Sequence, residues 1–274
     1  MAGLLTASEP SVQVELVEVD TRGDRRLDLP ISELGGKGVF AKEVQQAVLD
    51  GRADIAVHSA KDLPSVTVPG LVLAAVPTRG DARDALVGST LDGLPGGARV
   101  ATGSARRRVQ LAERRPDLEF HELRGNMATR LAKAGHFDAI VVAAVAFQRL
   151  GWTDRLDDVL ATGVMLPQVG QGALAVECRA DDEATMAGLV GIEHGPSRRR
   201  VDAERAFLAE LGGDCDLPAG AHAVIEDGTG GVLRLDALLA SPDGKTLWRR
   251  SERGGDPDAL GRSAAVALRD GQGV

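Results

Sequence analysis

Val12, Val14 and Leu16 alternate with Gln13 and Glu15, a period-two pattern that predicts a strand with one wet face. Phe40, Val44, Ala47 and Val48 follow the 3.6-residue period instead and predict a helix closed by Gly51. Ile55, Ala56 and Val57 form a short apolar run, read as a buried strand leading straight into His58-Ser59-Ala60-Lys61-Asp62. A strand, helix, strand succession implies an α/β sheet. Such sheets bind ligands beyond the carboxyl ends of their strands, which places Ser59 to Asp62 where chemistry is usually done.

The pattern recurs in a second block: strand Val100 to Thr102, helix from Ser104 to about Arg114, strand Leu118 to Leu123, helix from about Asn126, and strand Ala139 to Ala144. Ser104 is read as an N-cap whose helix start, beside Arg106 and Arg107, offers backbone N–H groups to an anion. Arg124-Gly125-Asn126, with Arg130 one turn later, repeats that arrangement. The glycine-containing segment Leu166 to Gly172 reads as a crossing, after which Ala173 to Cys178 returns to the first sheet. A helix from Ser197 to Leu211, a loop Gly212 to Pro218, a strand Ala221 to Ile225, a hairpin turning at Pro242 to Lys245 and a helix from Pro257 capped by Asp256 make a smaller α+β unit. The expected division is 1–77 with 173–192, then 78–172, then 193–274.

Length and composition suit this picture: 274 residues, 43% hydrophobic and 26% charged, describe an ordinary globular chain with room for two or three cores. The longest apolar run, Ala139 to Phe147, is less than half of what spans a bilayer, and the N-terminus Met-Ala-Gly-Leu-Leu-Thr lacks the basic flank of a secretory signal, so a cytoplasmic location without a membrane partner is expected. Cys178 and Cys215 show neither disulfide nor zinc spacing, and no metal site is expected. With a net charge of −8, few aromatics and no tyrosine, the chain is not expected to bind nucleic acid. Of its 32 lysines and arginines only Lys37, Lys42, Lys61, Lys133 and Lys245 are lysines. Arginine is the residue suited to gripping carboxylates through paired hydrogen bonds, so its placement carries more meaning than its number.

From the residues alone, two readings of each motif stay open. Lys61-Asp62 is either a surface turn or a site at a strand end, and His58 reads as a packing residue rather than a base. Arg106-Arg107-Arg108 is either a solvated helix face or a ligand site; Arg108, Arg114 and Arg115 fit the former. Cys215 lies between Asp214 and Asp216, which raise rather than lower a thiol pKa, so spacing alone makes it an ordinary loop cysteine. Cys178, inside an apolar strand, reads as a buried small hydrophobe.

Taken together, Gly35 to Phe40, Ala53 to Pro64, Leu111 to Leu118, Leu123-Arg124-Gly125-Asn126, Val169 to Ala173 and Gly212 to Pro218 resemble the porphobilinogen deaminases in the family's own order. The resemblance implies two periplasmic-binding-protein-like α/β domains around a central cleft, a small C-terminal α+β domain, and a monomer. It implies stepwise condensation of four porphobilinogen molecules, each losing ammonia, to give hydroxymethylbilane for tetrapyrrole and haem synthesis. Asp62 is then the catalytic carboxylate, ionised to stabilise the positive charge that develops as ammonia leaves. Cys215 holds a dipyrromethane cofactor through a thioether, with Lys61, Ser59, Thr102, Ser104, Arg106 and Arg107 beside it. Arg124, Arg130, Arg149 and Gln171 meet the substrate.

Two departures accompany the resemblance. The family's first strand and helix, with an Arg-x-Ser-Pro-Leu-Ala type segment, have no counterpart before Val12, so an upstream start or an unstable, poorly active chain is expected. Glu33 stands where some members have lysine. The reading from another class is a two-lobed protein that binds an anion or solute without chemistry.

Overall fold

The computed structural model describes residues 1–19, 41–212, 217–226, 228 and 231–271. Its first lobe opens with helices α1 (Ala2–Ser8) and α2 (Lys42–Leu49) and strands β1 (Ile55–Ser59) and β2 (Leu71–Ala75). The second lobe holds β3 (Asp84–Val87), β4 (Arg99–Ala101), α3 (Ala105–Arg114), β5 (Glu119–His121), α4 (Met127–Ala134), β6 (Ala139–Ala143), α5 (Ala144–Leu150) and β7 (Asp158–Val159). The chain returns as β8 (Leu174–Arg179), followed by α6 (Glu183–Leu189) and α7 (Gly195–Glu210). It ends with β9 (Ala219–Ile225), β10 (Leu233–Ala240), β11 (Leu247–Gly254) and α8 (Pro257–Arg269).

Capping residues set several of these boundaries. The side chains of Ser104, Asn126 and Asp256 accept hydrogen bonds from the backbone N–H groups of Arg107, Thr129 and Ala259, satisfying donors that the first helical turn leaves free.

In the first lobe β8 lies between β1 and β2, antiparallel to both, with Val57 opposite Val176 and Val72 opposite Cys178. The second-lobe sheet has the order β5-β4-β6-β3-β7, and β3 is the strand antiparallel to its neighbours β6 and β7. Each lobe therefore builds into its sheet one antiparallel strand delivered by the other lobe. The two connections, residues 76–83 and 160–173, run side by side: Gly80 N–H donates to Gly172 O at 3.1 Å and Gln171 Nε2 to Ala82 O at 2.7 Å. Gly172 has φ +89°, and a Cβ there would lie 2.7 Å from the Gly80 carbonyl, so only glycine allows this approach.

The third sheet, β11-β10-β9, is antiparallel and packs on α7 and α8 through Phe207, Leu235, Leu260 and Leu268. Together these elements form the expected two α/β lobes and small α+β unit. One expected element is corrected: residues 12–19 pair with no described strand, and Leu16 is 84% exposed. Only Val14 of that alternating pattern packs against a core cluster, the one containing Leu5. An alternating pattern becomes a strand only where a neighbour accepts its backbone hydrogen bonds, and no described segment does so here. The expected Gly35 to Phe40 loop and helix start, and Glu33, lie outside the described residues.

Candidate active site

β1 ends at Ser59, and the chain turns at once through Ala60-Lys61-Asp62. Ala60 N–H donates to Ala173 O at 3.0 Å, and Lys61 O accepts from Gln168 Nε2 at 3.2 Å, so the turn is held by the second connection. Gly170, at φ +71°, rests on it so closely that a Cβ would lie 2.9 Å from the carbonyl carbon of Ala60. Asp62 remains exposed, and its carboxylate has no hydrogen-bond partner among the described residues. His58, just before, is buried with Nε2 3.2 Å from Glu177 Oε2.

Facing this turn, α3 presents Arg106 and Arg107, which are 3% and 6% exposed. The solvated-face reading is overturned for this pair because both guanidinium groups converge on Asp84, a fully buried carboxylate. Arg106 Nη2 donates to Asp84 at 2.8 Å; Arg107 donates from Nε at 3.0 Å and Nη2 at 2.7 Å. Gln171, itself fully buried, donates to the same carboxylate at 2.9 Å. Arg108 keeps its solvated role, paired with Glu122, whereas Arg114 and Arg115 donate to main-chain carbonyls as well. Thr102 is buried and accepts from Ser104 N–H at 3.2 Å, shaping the entry to α3.

Charged groups of the two lobes act on one another here. Burial pushes the Lys61 ammonium down; Asp62 and Asp84 hold it up, while Arg107 and Arg106 push it further down. Burial also lowers Arg130, with Arg107 and Arg124 acting in the same sense and Asp62 opposing. Lys61 and Asp62 on the first lobe thus lie in the field of Arg106, Arg107 and Arg130 on the second. Arg130 Nε is fixed on Gly125 O at 2.8 Å, and Arg149 donates to Gly172 O at 3.1 Å. Arg124 stands at the rim, exposed and 3.9 Å from Glu122. Ser59 closes the strand beneath the turn.

Cys215 lies outside the described residues. Gly220, five positions later on β9, is packed on the same cluster: a Cβ there would lie 3.1 Å from Arg106 Cδ and 2.8 Å from Pro167 O. Cys178 is fully buried and burial pushes its thiol up, as befits a small core residue. A separate concavity between the second lobe and β10–β11 includes Gln110, Asp236, Arg249 and Arg250, but its charges are already partnered, Arg249 with Glu113 and Arg250 with Glu252.

Sequence reading missed Asp84 and Glu204. Glu204 is fully buried and binds Arg79 as well as the Gly170 and Ala223 N–H groups. The available signal at Asp84 is a charge placed at the head of the apolar run Ala85-Leu86-Val87, where an unpaired carboxylate would be costly.

The arrangement brings Lys61, Arg106, Arg107 and Arg130 near Asp62, whose carboxylate has no hydrogen-bond partner among the described residues, and near Asp84, a buried carboxylate that ties two arginines together. The model of the porphobilinogen deaminase dipyromethane cofactor binding domain matches residues 1–187, and that of the porphobilinogen deaminase C-terminal domain matches 198–270. The porphobilinogen deaminase of Brevibacillus brevis is 46% identical over 264 residues, 94% of this chain and 85% of that one. That of Geobacillus kaustophilus is 47% identical over 260 residues, 93% and 83%, and that of Syntrophus aciditrophicus 44% over 280 residues, 100% and 90%. Among solved structures, the BvgS periplasmic VFT2 domain of Bordetella pertussis gives a TM-score of 0.37 at 19% identity, over 69% of this chain and 73% of that one, too slight to carry weight. Two family models that between them span nearly all of its length, and relatives close to half identical, establish that the chain belongs to the porphobilinogen deaminase family.

Proposed function

We propose that this chain carries out porphobilinogen deamination in the cleft between its lobes, with Asp62 as the catalytic carboxylate and Cys215 as the anchor of the cofactor. Family membership makes the chain a transferase of porphyrin synthesis whose cofactor is dipyrromethane. When bound, that cofactor supplies the free pyrrole carbon to which units are added. The residues present fit such a group: its acetate and propionate arms are anionic, and Lys61, Arg106, Arg107, Arg124, Arg130 and Arg149 outnumber the carboxylates around the cleft. Arg106 Nε, beside Asp84, is a buried donor without a partner among the described residues.

The observation that carries the reading is the free carboxylate of Asp62 in the field of Arg130 and Lys61. A carboxylate with no internal partner is available to accept pyrrole N–H groups and to stabilise the cation formed as ammonia departs. Lys61, Ser59, Thr102, Ser104, Arg106 and Arg107 hold the cofactor; Arg124, Arg130 and Arg149 hold the growing chain, and Gln171, expected beside them, acts from behind through its hydrogen bond to Asp84. The working unit is a cytoplasmic monomer divided at 77/78, 172/173 and 192/193, with no nucleic-acid or membrane partner. No described helix is long and apolar enough to cross a membrane.

Intact mass of the purified chain tests this. The expected result is an excess over the sequence mass equal to one dipyrromethane, lost in Cys215→Ser, together with ammonia release from porphobilinogen. A chain of unmodified mass that binds porphobilinogen without releasing ammonia is instead a two-lobed solute-binding protein, the reading from another class.

A further inference from the structure

Two guanidinium groups sharing one buried carboxylate is an arrangement that the proposed roles of Arg106 and Arg107 leave unexplained. Adjacent cations repel, and in a water-poor wall that repulsion is strong. We propose that Asp84 is the positioning residue of this arginine pair: it fixes the planes of both guanidinium groups and cancels one of their charges, so that they meet an acidic ligand as a pre-set fork. The inference rests on the reading that Arg106 and Arg107 bind carboxylates.

The geometry clamps each arginine at two points. Arg107 is held by Nε and Nη2 on Asp84 Oδ1 and by Nη1 on Val141 O at 3.0 Å. Arg106 is held by Nη2 on Asp84 Oδ2 and by Nη1 on Leu166 O. With both ends engaged neither group is free to turn, which leaves Arg106 Nε as a buried donor with no described partner. The carboxylate is fixed in turn, since Gln171 Nε2 donates to it and to Ala82 O. Donors fixed in advance do not reorganise when charge arrives, the condition under which electrostatic stabilisation is strongest.

Asp84 also acts on Lys61 of the other lobe: of the charged groups among the described residues that act on that ammonium, Asp62, Arg107, Asp84 and Arg106, only the two carboxylates support it.

The test compares the loaded parent enzyme with Asp84→Asn and Asp84→Glu, measuring the fraction that carries the cofactor mass, then kcat per loaded molecule, KM and the pH profile. Counting only loaded molecules removes any unfolded fraction from the rate. For Asp84→Asn the expected result is about a hundredfold fall in kcat with KM little changed, the size seen when one fixed donor is lost. Its alkaline limb also moves to lower pH, because Lys61 loses one of its two supporting anions. Asp84→Glu restores the charge and the limb, but its extra methylene displaces the fork, so about a tenfold deficit or more persists. Parental kcat and pH profile in loaded Asp84→Asn overturn the inference. If that variant fails to fold or load, Asp84→Glu decides, and a parental rate there overturns the inference as well. A parent enzyme without the cofactor mass overturns the reading of the site and this inference with it, an outcome distinct from the other two.

Discussion

Glu204 holds the Arg79 guanidinium through two hydrogen bonds of 2.6 and 3.0 Å, with both side chains fully enclosed. The same carboxylate accepts the backbone N–H of Gly170 at 2.8 Å and of Ala223 at 2.9 Å. Arg79 belongs to the first connection between lobes, Gly170 to the second, and Ala223 to β9 of the C-terminal unit, so one carboxylate joins all three parts of the molecule beside the cleft.

Removing one member of that pair leaves its partner charged and buried. Glu204→Ala or Arg79→Ala is expected to cost about 3–5 kcal/mol, and to lower the melting temperature by roughly 10 °C. Replacing both with apolar residues of similar size should cost less than either single change. Thermal unfolding of the three variants measures this.

Asp62 offers the opposite case, because its carboxylate is exposed and forms no hydrogen bond among the described residues. Asp62→Ala should therefore abolish turnover while shifting stability by no more than about 0.5 kcal/mol, the usual range for surface positions. Asp62→Glu should retain a remnant of activity. Product formation and melting curves measured on the same preparations separate the two effects, and a large loss of stability would count against the assignment.

Arg130 and Arg149 are fixed by different carbonyls, Gly125 O and Gly172 O, at different points around the cleft. Each should meet the growing chain at a different length, so Arg130→Leu and Arg149→Leu are expected to stall at different enzyme-bound intermediates. Mass spectrometry of the enzyme after limiting porphobilinogen resolves those intermediates. Equal slowing of every addition in both variants would reject the assignment.

Asp84 links the arginine pair to acid stability. Burial raises its pKa, but the fields of Arg106 and Arg107 and the hydrogen bonds from Gln171 and Arg106 outweigh burial and bring it to about 2. Because the folded value lies below the unfolded value of about 3.9, the stabilisation is present above pH 4 and disappears as pH falls towards 2. It amounts to about 2–3 kcal/mol. Urea unfolding at pH 5, 3.5 and 2.5 should show the gap between parent and Asp84→Asn narrowing with acidity; a constant gap would contradict the linkage. The exposed Asp117, held to about 2 by Arg115, titrates in the same window in both proteins and leaves their difference unaffected.

Much of the local structure was legible because it depends on neighbours in sequence. Ser104, Asn126 and Asp256 announce helix starts, and their side chains do cap α3, α4 and α8. The hairpin turning at Pro242 to Lys245 joins β10 to β11 as expected. The apolar run from Ala139 was less clear: it divides at Ala143 into β6 and α5, and a continuous hydrophobic stretch carries no period to mark that change. Val12 to Leu16 show the reverse case, a clear period with no pairing strand among the described residues.

The order of segments along the chain was by itself enough to identify the family, the two-lobed architecture and the turn that carries Asp62, because these rest on motifs and periodicities of a few residues. Which charges meet in the interior was decided only by tertiary structure. Asp84 finds arginines 22 and 23 positions away and a glutamine 87 positions away, and Glu204 finds an arginine 125 positions away. An arginine's sequence neighbourhood is the same whether it faces water or a buried carboxylate. The outcome depends on where two distant connections cross, and on the high cost of leaving any one of those charges enclosed without a partner.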